Sequence, residues 1–221
     1  MYTNTVLVTL IAICAPVLLT VGSVAADQTD PVAQANIFLY PKPYKVADMT
    51  LKSPSGQTVS LSGYRGRVVL LHFWSINCPA CRLEEPLLQE LKRSLGHTGL
   101  EILAVNLVDP PVQVANHAFA HNTPFPVLFD GGGGFDLKVV NMAGKKTAFV
   151  VNPDQEAILE VPGFPTTYIV DATGNAVGYS VGPARWNNGA VVALLRNLVR
   201  QGGAYGPRAQ MPGHQGPSAV R

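Results

Sequence analysis

Cysteine is scarce in this chain, which contains 3 cysteines among 221 residues. Small secreted folds that depend on disulfides carry several bridges at wide spacings, whereas only Cys78 and Cys81 lie beyond the apolar N-terminal segment. A bridge between them would close a very short gap and constrain little of the unfolded chain. The sequence therefore argues against a scaffold that is held together by disulfides.

A second pair of metal-binding residues is also missing. A structural zinc site usually needs a full set of Cys or His ligands, commonly with a second paired motif. The histidines beyond residue 30 provide no tight second pair, because His117 and His121 lack a cysteine partner. The sequence predicts no metal site and no cofactor, and reversible redox chemistry is the best interpretation of Cys78-Pro79-Ala80-Cys81.

Charge is sparse as well: charged residues make up 14% of the chain, and the formal net charge is +2. A charge this small, without a basic stripe, argues against a nucleic acid partner. Residues 1–26 contain no charged side chain, and most of them are apolar or small. We interpret 1–26 as a signal peptide or a membrane anchor, and either one predicts a periplasmic or other extracytoplasmic protein, secreted or anchored.

The rest of the chain is long enough for one folded domain. We assign 27–45, with "YPKPY", to a linker, 46–201 to the domain, and 202–221, which is rich in Gly, Pro and Gln, to a disordered tail. Apolar runs such as "RVVLLHFW" are typical of buried strands, and leucines at helical spacing follow the cysteines. The order of these patterns predicts an α/β sandwich with a mixed central sheet flanked by helices.

This order places Cys78 where a strand ends and a helix begins. The free N–H groups and the positive end of a helix stabilise a thiolate there. A lowered thiol pKa makes Cys78 the natural nucleophile. Cys81, one turn into the helix, is expected to attack the resulting mixed disulfide and release the product.

Several motifs then identify a family resemblance. The chain from about residue 46 to residue 201 resembles the thioredoxin superfamily, specifically its exported TlpA-like and ResA-like thiol–disulfide oxidoreductases. The stretches that carry the resemblance are "GQTVSLSGYRGRVVLLHFWSINCPACRLEEP", "FPVLFD", "GFPTTYIVDATGNAV" and "GPARW". The first and third stretches are specific in combination, and the others support them.

The resemblance implies roles for further residues and for partners. Pro165 matches the family's cis-proline, which faces the cysteines and helps to hold the substrate chain. Glu84 matches a glutamate that tunes the thiols, although a glutamate near a helix N-terminus also stabilises the helix in its own right. Such proteins take electrons from a membrane thiol donor and reduce disulfides in partner proteins outside the cytoplasm, often in cytochrome c biogenesis or copper-site assembly.

Three departures from the family pattern distinguish this chain. Asn77 stands where an aromatic residue usually precedes the first cysteine, and His72 stands where this branch usually has asparagine. The buried His72 is either a core residue or the acceptor of the proton from Cys81. The chain also has about twenty more residues than the family before the loop that contains Pro165. In this segment "TAFVV" followed by Asn-Pro-Asp predicts an inserted β-hairpin at about 141–160.

Two other functions stay open at this point. A thiol peroxidase is disfavoured because the threonine expected three positions before the cysteine is absent, since Ser75-Ile76-Asn77 precedes Cys78. A copper-handling protein could use Cys78, Cys81 and a histidine, because thiolate and imidazole suit copper. The dipeptide Pro79-Ala80 is compatible with electron flow in either direction.

Overall fold

The computed structural model describes residues 30–129, 136–142, 145–151 and 158–202. Within them, eight strands form one mixed sheet in the order β1-β11-β10-β4-β5-β6-β2-β3. Their bounds are β1 Phe38–Lys45, β2 Thr50–Lys52, β3 Thr58–Ser60, β4 Val68–Trp74, β5 Leu100–Asn106, β6 Val127–Phe129, β10 Thr166–Val170 and β11 Asn175–Val181. β4, β5 and β6 are parallel, and the other pairs are antiparallel. The predicted mixed sheet is confirmed.

Three helices, α1 Pro79–Leu95, α2 Pro111–Ala120 and α3 Gly189–Arg200, accompany the sheet in the described part of the chain. α1 connects β4 to β5, and α2 connects β5 to β6, so successive parallel strands step across the sheet in one direction. Because crossovers between parallel strands are almost always right-handed, both helices are expected on the same face. Leu88 of α1, Val114 of α2 and Leu194 of α3 indeed belong to one core cluster.

The central strand β4 alternates between the two cores. Leu70 packs in the cluster with the helices, whereas Leu71 and Phe73 pack in a second cluster on the other face. Every residue of β4 is buried, as expected for a strand covered on both faces. The strand therefore leads from the middle of the fold to the cysteine pair that follows it.

The structure differs from the sequence analysis at residues 27–45, which we assigned to a linker. Residues 38–45 form the edge strand β1, which pairs antiparallel with β11, and Val32 and Ile37 are buried in the core. Prolines suggested a linker, but an edge strand tolerates proline because one side of its backbone has no ladder partner. A Cβ at position 178 would lie 2.8 Å from the Phe38 carbonyl oxygen, so Gly178 permits this close pairing.

The inserted segment forms a small sheet of its own. β7 Asp136–Met142, β8 Lys145–Val151 and β9 Ile158–Val161 pair antiparallel in the order β7-β8-β9. β8 and β9 agree with the predicted hairpin, and β7 is an additional strand that we did not predict. The predicted Asn-Pro-Asp turn lies outside the described residues. Leu159 and Val161 are 2% exposed and belong to the second core cluster, so β9 fastens the added sheet to the domain.

The proposed signal or anchor at 1–26 and residues 203–221 of the proposed tail lie outside the described residues. Among the residues that the structure does describe, none of the helices has the length and apolar character needed to cross a membrane.

Candidate active site

The cysteine pair lies directly beyond β4, at the start of α1. Cys78 is the N-cap residue, and its Sγ accepts a hydrogen bond from the Cys81 backbone N–H at 3.1 Å. The two sulfurs form a disulfide with a Cα–Cα distance of 5.2 Å. Cys78 is half-buried, whereas Cys81 is 3% exposed. An incoming disulfide can therefore reach Cys78 more easily than Cys81.

The loop before Cys78 is held by residues that the sequence analysis missed. The backbone N–H of Ile76 donates to Asp109 Oδ2 at 2.8 Å. The Asn106 side-chain amide donates to the same oxygen at 2.7 Å, and Asn106 ends strand β5. The end of the neighbouring strand thus positions the approach to the cysteines, a relation that spacing along the chain does not reveal.

Pro165 lies at the same end of the sheet as the cysteine pair. The Phe164–Pro165 peptide bond is cis, as the resemblance implied. β10 begins at Thr166, which is registered opposite Phe73 near the end of the antiparallel strand β4. The chain therefore enters β10 beside the point where it leaves β4 for the cysteines.

His72 is buried in the centre of the sheet. Its Nδ1 is 2.8 Å from Thr167 Oγ1, across the β4–β10 pair. Desolvation by burial lowers the pKa of His72 from 6.5 to about 3. The imidazole is therefore neutral, and it lines a cavity of about 20 Å³ that Cys81 also lines.

Glu84 connects α1 to the loop before α3. One of its carboxylate oxygens accepts hydrogen bonds from the Ala184 backbone N–H at 2.9 Å and from Trp186 Nε1, while Oε2 has no hydrogen-bond partner in the described structure. Burial raises the pKa of Glu84 from 4.5 to about 7, and the two hydrogen bonds oppose this shift. Glu84 does not line the cavity beside Cys81. Its predicted tuning of the thiols stays a prediction.

The next residue, Glu85, does line that cavity, together with His117 of α2. Glu85 Oε2 is 3.0 Å from His117 Nε2 and 3.7 Å from His121 Nδ1. We expected no metal site from the sequence. The spacing of His117 and His121 on one helix face was visible in the sequence, but their carboxylate partner on α1 was not.

Asn77 is exposed beside the disulfide. The position where the family usually has an aromatic residue therefore presents a polar side chain to an approaching partner.

Comparisons with known proteins agree with this geometry. A model of the AhpC/TSA family matches residues 44–177. The thiol-disulfide oxidoreductase ResA of Geobacillus kaustophilus is 32% identical over 119 residues, which cover 54% of this chain and 68% of ResA. ResA of Bacillus thuringiensis subsp. konkukian is 30% identical over 111 residues, which cover 50% of this chain and 64% of that relative. The match thus spans slightly less than two thirds of the latter protein.

Solved structures support the fold. A secreted thiol-disulfide isomerase from Corynebacterium glutamicum superposes with a TM-score of 0.57 at 19% identity, covering 75% of this chain and 92% of that structure. A thioredoxin family thiol:disulfide interchange protein from Chlorobium tepidum superposes with a TM-score of 0.55 at 18% identity, covering 72% of this chain and 99% of that structure. The predicted thioredoxin-like fold is confirmed.

Proposed function

The chain belongs to the AhpC/TSA family, and on that premise we propose that it is a thiol–disulfide oxidoreductase that acts through Cys78 and Cys81. The observation that carries this proposal is the disulfide at the N-terminus of α1, in which Cys78 is half-buried and Cys81 is buried. Relatives named as ResA thiol-disulfide oxidoreductases support the same activity.

The proposed reaction begins with the reduced pair. The Cys78 thiolate attacks one sulfur of a partner disulfide, which breaks that bond, forms a mixed disulfide and releases a partner thiolate that takes up a proton. Cys81 then loses its proton and attacks Cys78 Sγ, which forms the disulfide seen in the structure and releases the second partner thiol. Two electrons pass from the enzyme to the partner, while one of the two protons comes from Cys81 and the other from solvent.

The helix contributes mainly to the first step. The N-terminal end of α1 favours negative charge at Cys78, and the Cys81 backbone N–H already donates to its sulfur. Pro79 occupies the first helical position, where its missing N–H costs no intrahelical hydrogen bond. The helix end and the N–H···S hydrogen bond, which both stabilise a thiolate, make Cys78 the better nucleophile and the better leaving group.

Roles for the remaining predicted site residues follow from their places. We propose that Pro165 borders the groove for the partner chain, because it lies at the same end of the sheet as the cysteines. We propose that Glu84 acts as a positioning residue that joins α1 to the loop before Trp186. A pKa of about 3 makes the His72 imidazole a weak base, so taking a proton from an ordinary thiol would cost about 7 kcal/mol. We therefore expect His72→Asn to leave release of the mixed disulfide unchanged across about pH 5–8.

The activity is tested by reduction of insulin with dithiothreitol as the electron source. Wild-type protein should accelerate the reaction, and Cys78→Ser should abolish the acceleration. Cys81→Ala that is reduced and then freed of dithiothreitol should accumulate a mixed disulfide with insulin. Acceleration that persists in Cys78→Ser would contradict the proposal. Rapid consumption of hydrogen peroxide without insulin reduction would favour the thiol peroxidase instead.

We further propose that the protein works as a reductant outside the cytoplasm, with electrons supplied by a membrane thiol donor and disulfide-containing proteins as substrates. The uncharged apolar stretch at 1–26 and the family resemblance support this. A reduction potential of about −270 mV would indicate a reductant, whereas one of about −120 mV would indicate an oxidant. Cell fractionation, with the mass of the mature chain, would show whether the protein is exported and whether residues 1–26 are removed.

A further inference from the structure

We propose that Glu85, His117 and His121 form a binding site for one divalent transition metal ion, beside the cysteine pair and independent of it. One ligand atom from each of the three side chains lies within 4.8 Å of the others. This is the only such group of His, Cys, Asp or Glu found within the described ranges. The site uses residues that the proposed redox reaction does not need.

Two helices bring the ligands together. His117 is in the last turn of α2, and His121 follows one turn later as the residue after the helix. Their rings are stacked, with centroids 4.1 Å apart and an interplanar angle of 18°. Glu85 reaches them from α1, so the carboxylate and His117 belong to two helices and His121 to the turn that directly follows α2.

The surroundings of the carboxylate orient it toward the histidines. Glu85 Oε1 accepts hydrogen bonds from Thr123 Oγ1 at 3.3 Å and from Gln89 Nε2 at 3.5 Å. This leaves Oε2 as the oxygen that faces His117 and His121. The Trp74 ring packs against His117 with a centroid distance of 5.0 Å and restrains that imidazole. Such outer contacts raise metal affinity because they hold the ligands in place.

The ligand set indicates the kind of metal. Two imidazoles and one carboxylate suit zinc, cobalt or copper, and three protein ligands leave a coordination position open. The adjoining cavity of about 20 Å³ is large enough for about one water molecule. Trp74 also lines it, and the buried Trp74 Nε1–H has no hydrogen-bond partner in the described structure. A metal-bound water in this cavity would accept from that N–H.

The test uses the full chain with Cys14→Ala, without an affinity tag and with the Cys78–Cys81 disulfide formed, so that no cysteine can bind metal. Zn²⁺ is titrated by calorimetry, and Co²⁺ is followed by its visible absorption. We expect one ion per chain. His117→Ala, His121→Ala and Glu85→Gln should each weaken binding by about tenfold or more, because loss of a ligand costs at least as much as loss of an outer contact. His97→Ala combined with His214→Ala is the control and should bind like wild type.

Thermal unfolding supplies a second measurement. At one fixed concentration, Zn²⁺ should raise the midpoint temperature of the wild-type and control proteins by more than that of His121→Ala, because an ion that binds only the folded state stabilises it in proportion to its affinity. His121 has a half-exposed side chain, so this variant should fold. A dissociation constant weaker than about 1 mM for the wild type would refute the proposal and leave an ordinary ion pair. Binding of Zn²⁺ by all three ligand variants with the same affinity as the wild type would refute it too.

Discussion

His72 and Glu84 should contribute opposite slopes to the dependence of stability on pH. Burial lowers the pKa of His72 from 6.5 to about 3, and burial raises the pKa of Glu84 from 4.5 to about 7. The unfolded chain has the ordinary values. Both residues therefore change their protonation on folding, and they do so with opposite sign.

The sign of each residue's effect on the free energy of unfolding follows from the number of protons that the folded and unfolded states bind. Between about pH 4.5 and pH 7 the folded protein holds a proton on Glu84 that the unfolded chain has lost, so the free energy of unfolding falls as pH rises. Between about pH 3 and pH 6.5 the unfolded chain holds a proton on His72 that the folded protein lacks, so the free energy of unfolding rises with pH. Each slope is about 1.4 kcal/mol per pH unit. In the shared window, 4.5 to 6.5, the two slopes cancel.

Single substitutions should expose the two slopes separately. In Glu84→Gln the His72 slope remains, and stability should rise by about 3 kcal/mol across the shared window. In His72→Asn the Glu84 slope remains, and stability should fall by a similar amount. The stability curve of the double variant should again run parallel to that of the wild type across this window. The measurement is urea unfolding of the oxidised protein at half-unit steps of pH, compared with wild type so that other titrations cancel. Parallel curves for wild type and both single variants would refute the reasoning.

Three further predictions follow from burial and hydrogen bonding. Iodoacetamide should modify Cys78 of the reduced protein faster than Cys81, because Cys78 is more exposed and lies at the helix N-terminus. Leu159→Ala should lower the free energy of unfolding by about 2–5 kcal/mol, because this residue of the added sheet is 2% exposed. Trp186→Phe removes a donor to the Glu84 carboxylate, so the pKa of Glu84 in the folded protein should rise. The fall in stability that Glu84 causes should then extend to higher pH.

Each of these predictions has a simple control. Faster labelling of Cys81, read by peptide mass spectrometry, would reverse the assigned order of attack. Leu83→Ala is the matched control for Leu159→Ala, because Leu83 is 73% exposed and should change stability by less than about 0.5 kcal/mol. Equal losses in the two leucine variants would mean that β9 does not fasten the added sheet. If the fall in stability ended at the same pH in Trp186→Phe and in wild type, Trp186 would not influence the Glu84 carboxyl group.

The sequence by itself determined the elements around the cysteines. An apolar run long enough for a buried strand, followed by Cys78 and by leucines at helical spacing, specifies β4 and α1 through local preferences alone. The cysteine spacing places both sulfurs on the first turn of that helix. The motif around Pro165 likewise identified the cis bond, because the resemblance is carried by neighbouring residues.

Only the tertiary structure decided which distant groups meet. The edge strand β1 exists because β11, far along the chain, offers it a partner, whereas its own prolines indicate a linker. Glu84 and Trp186 are 102 positions apart, and Glu85 and His117 are 32 apart. Periodicity places residues on one face of one element, but it does not say which other element will cover that face. The packing of α1 against α2 and against the loop before α3 decided which groups surround Glu84 and Glu85.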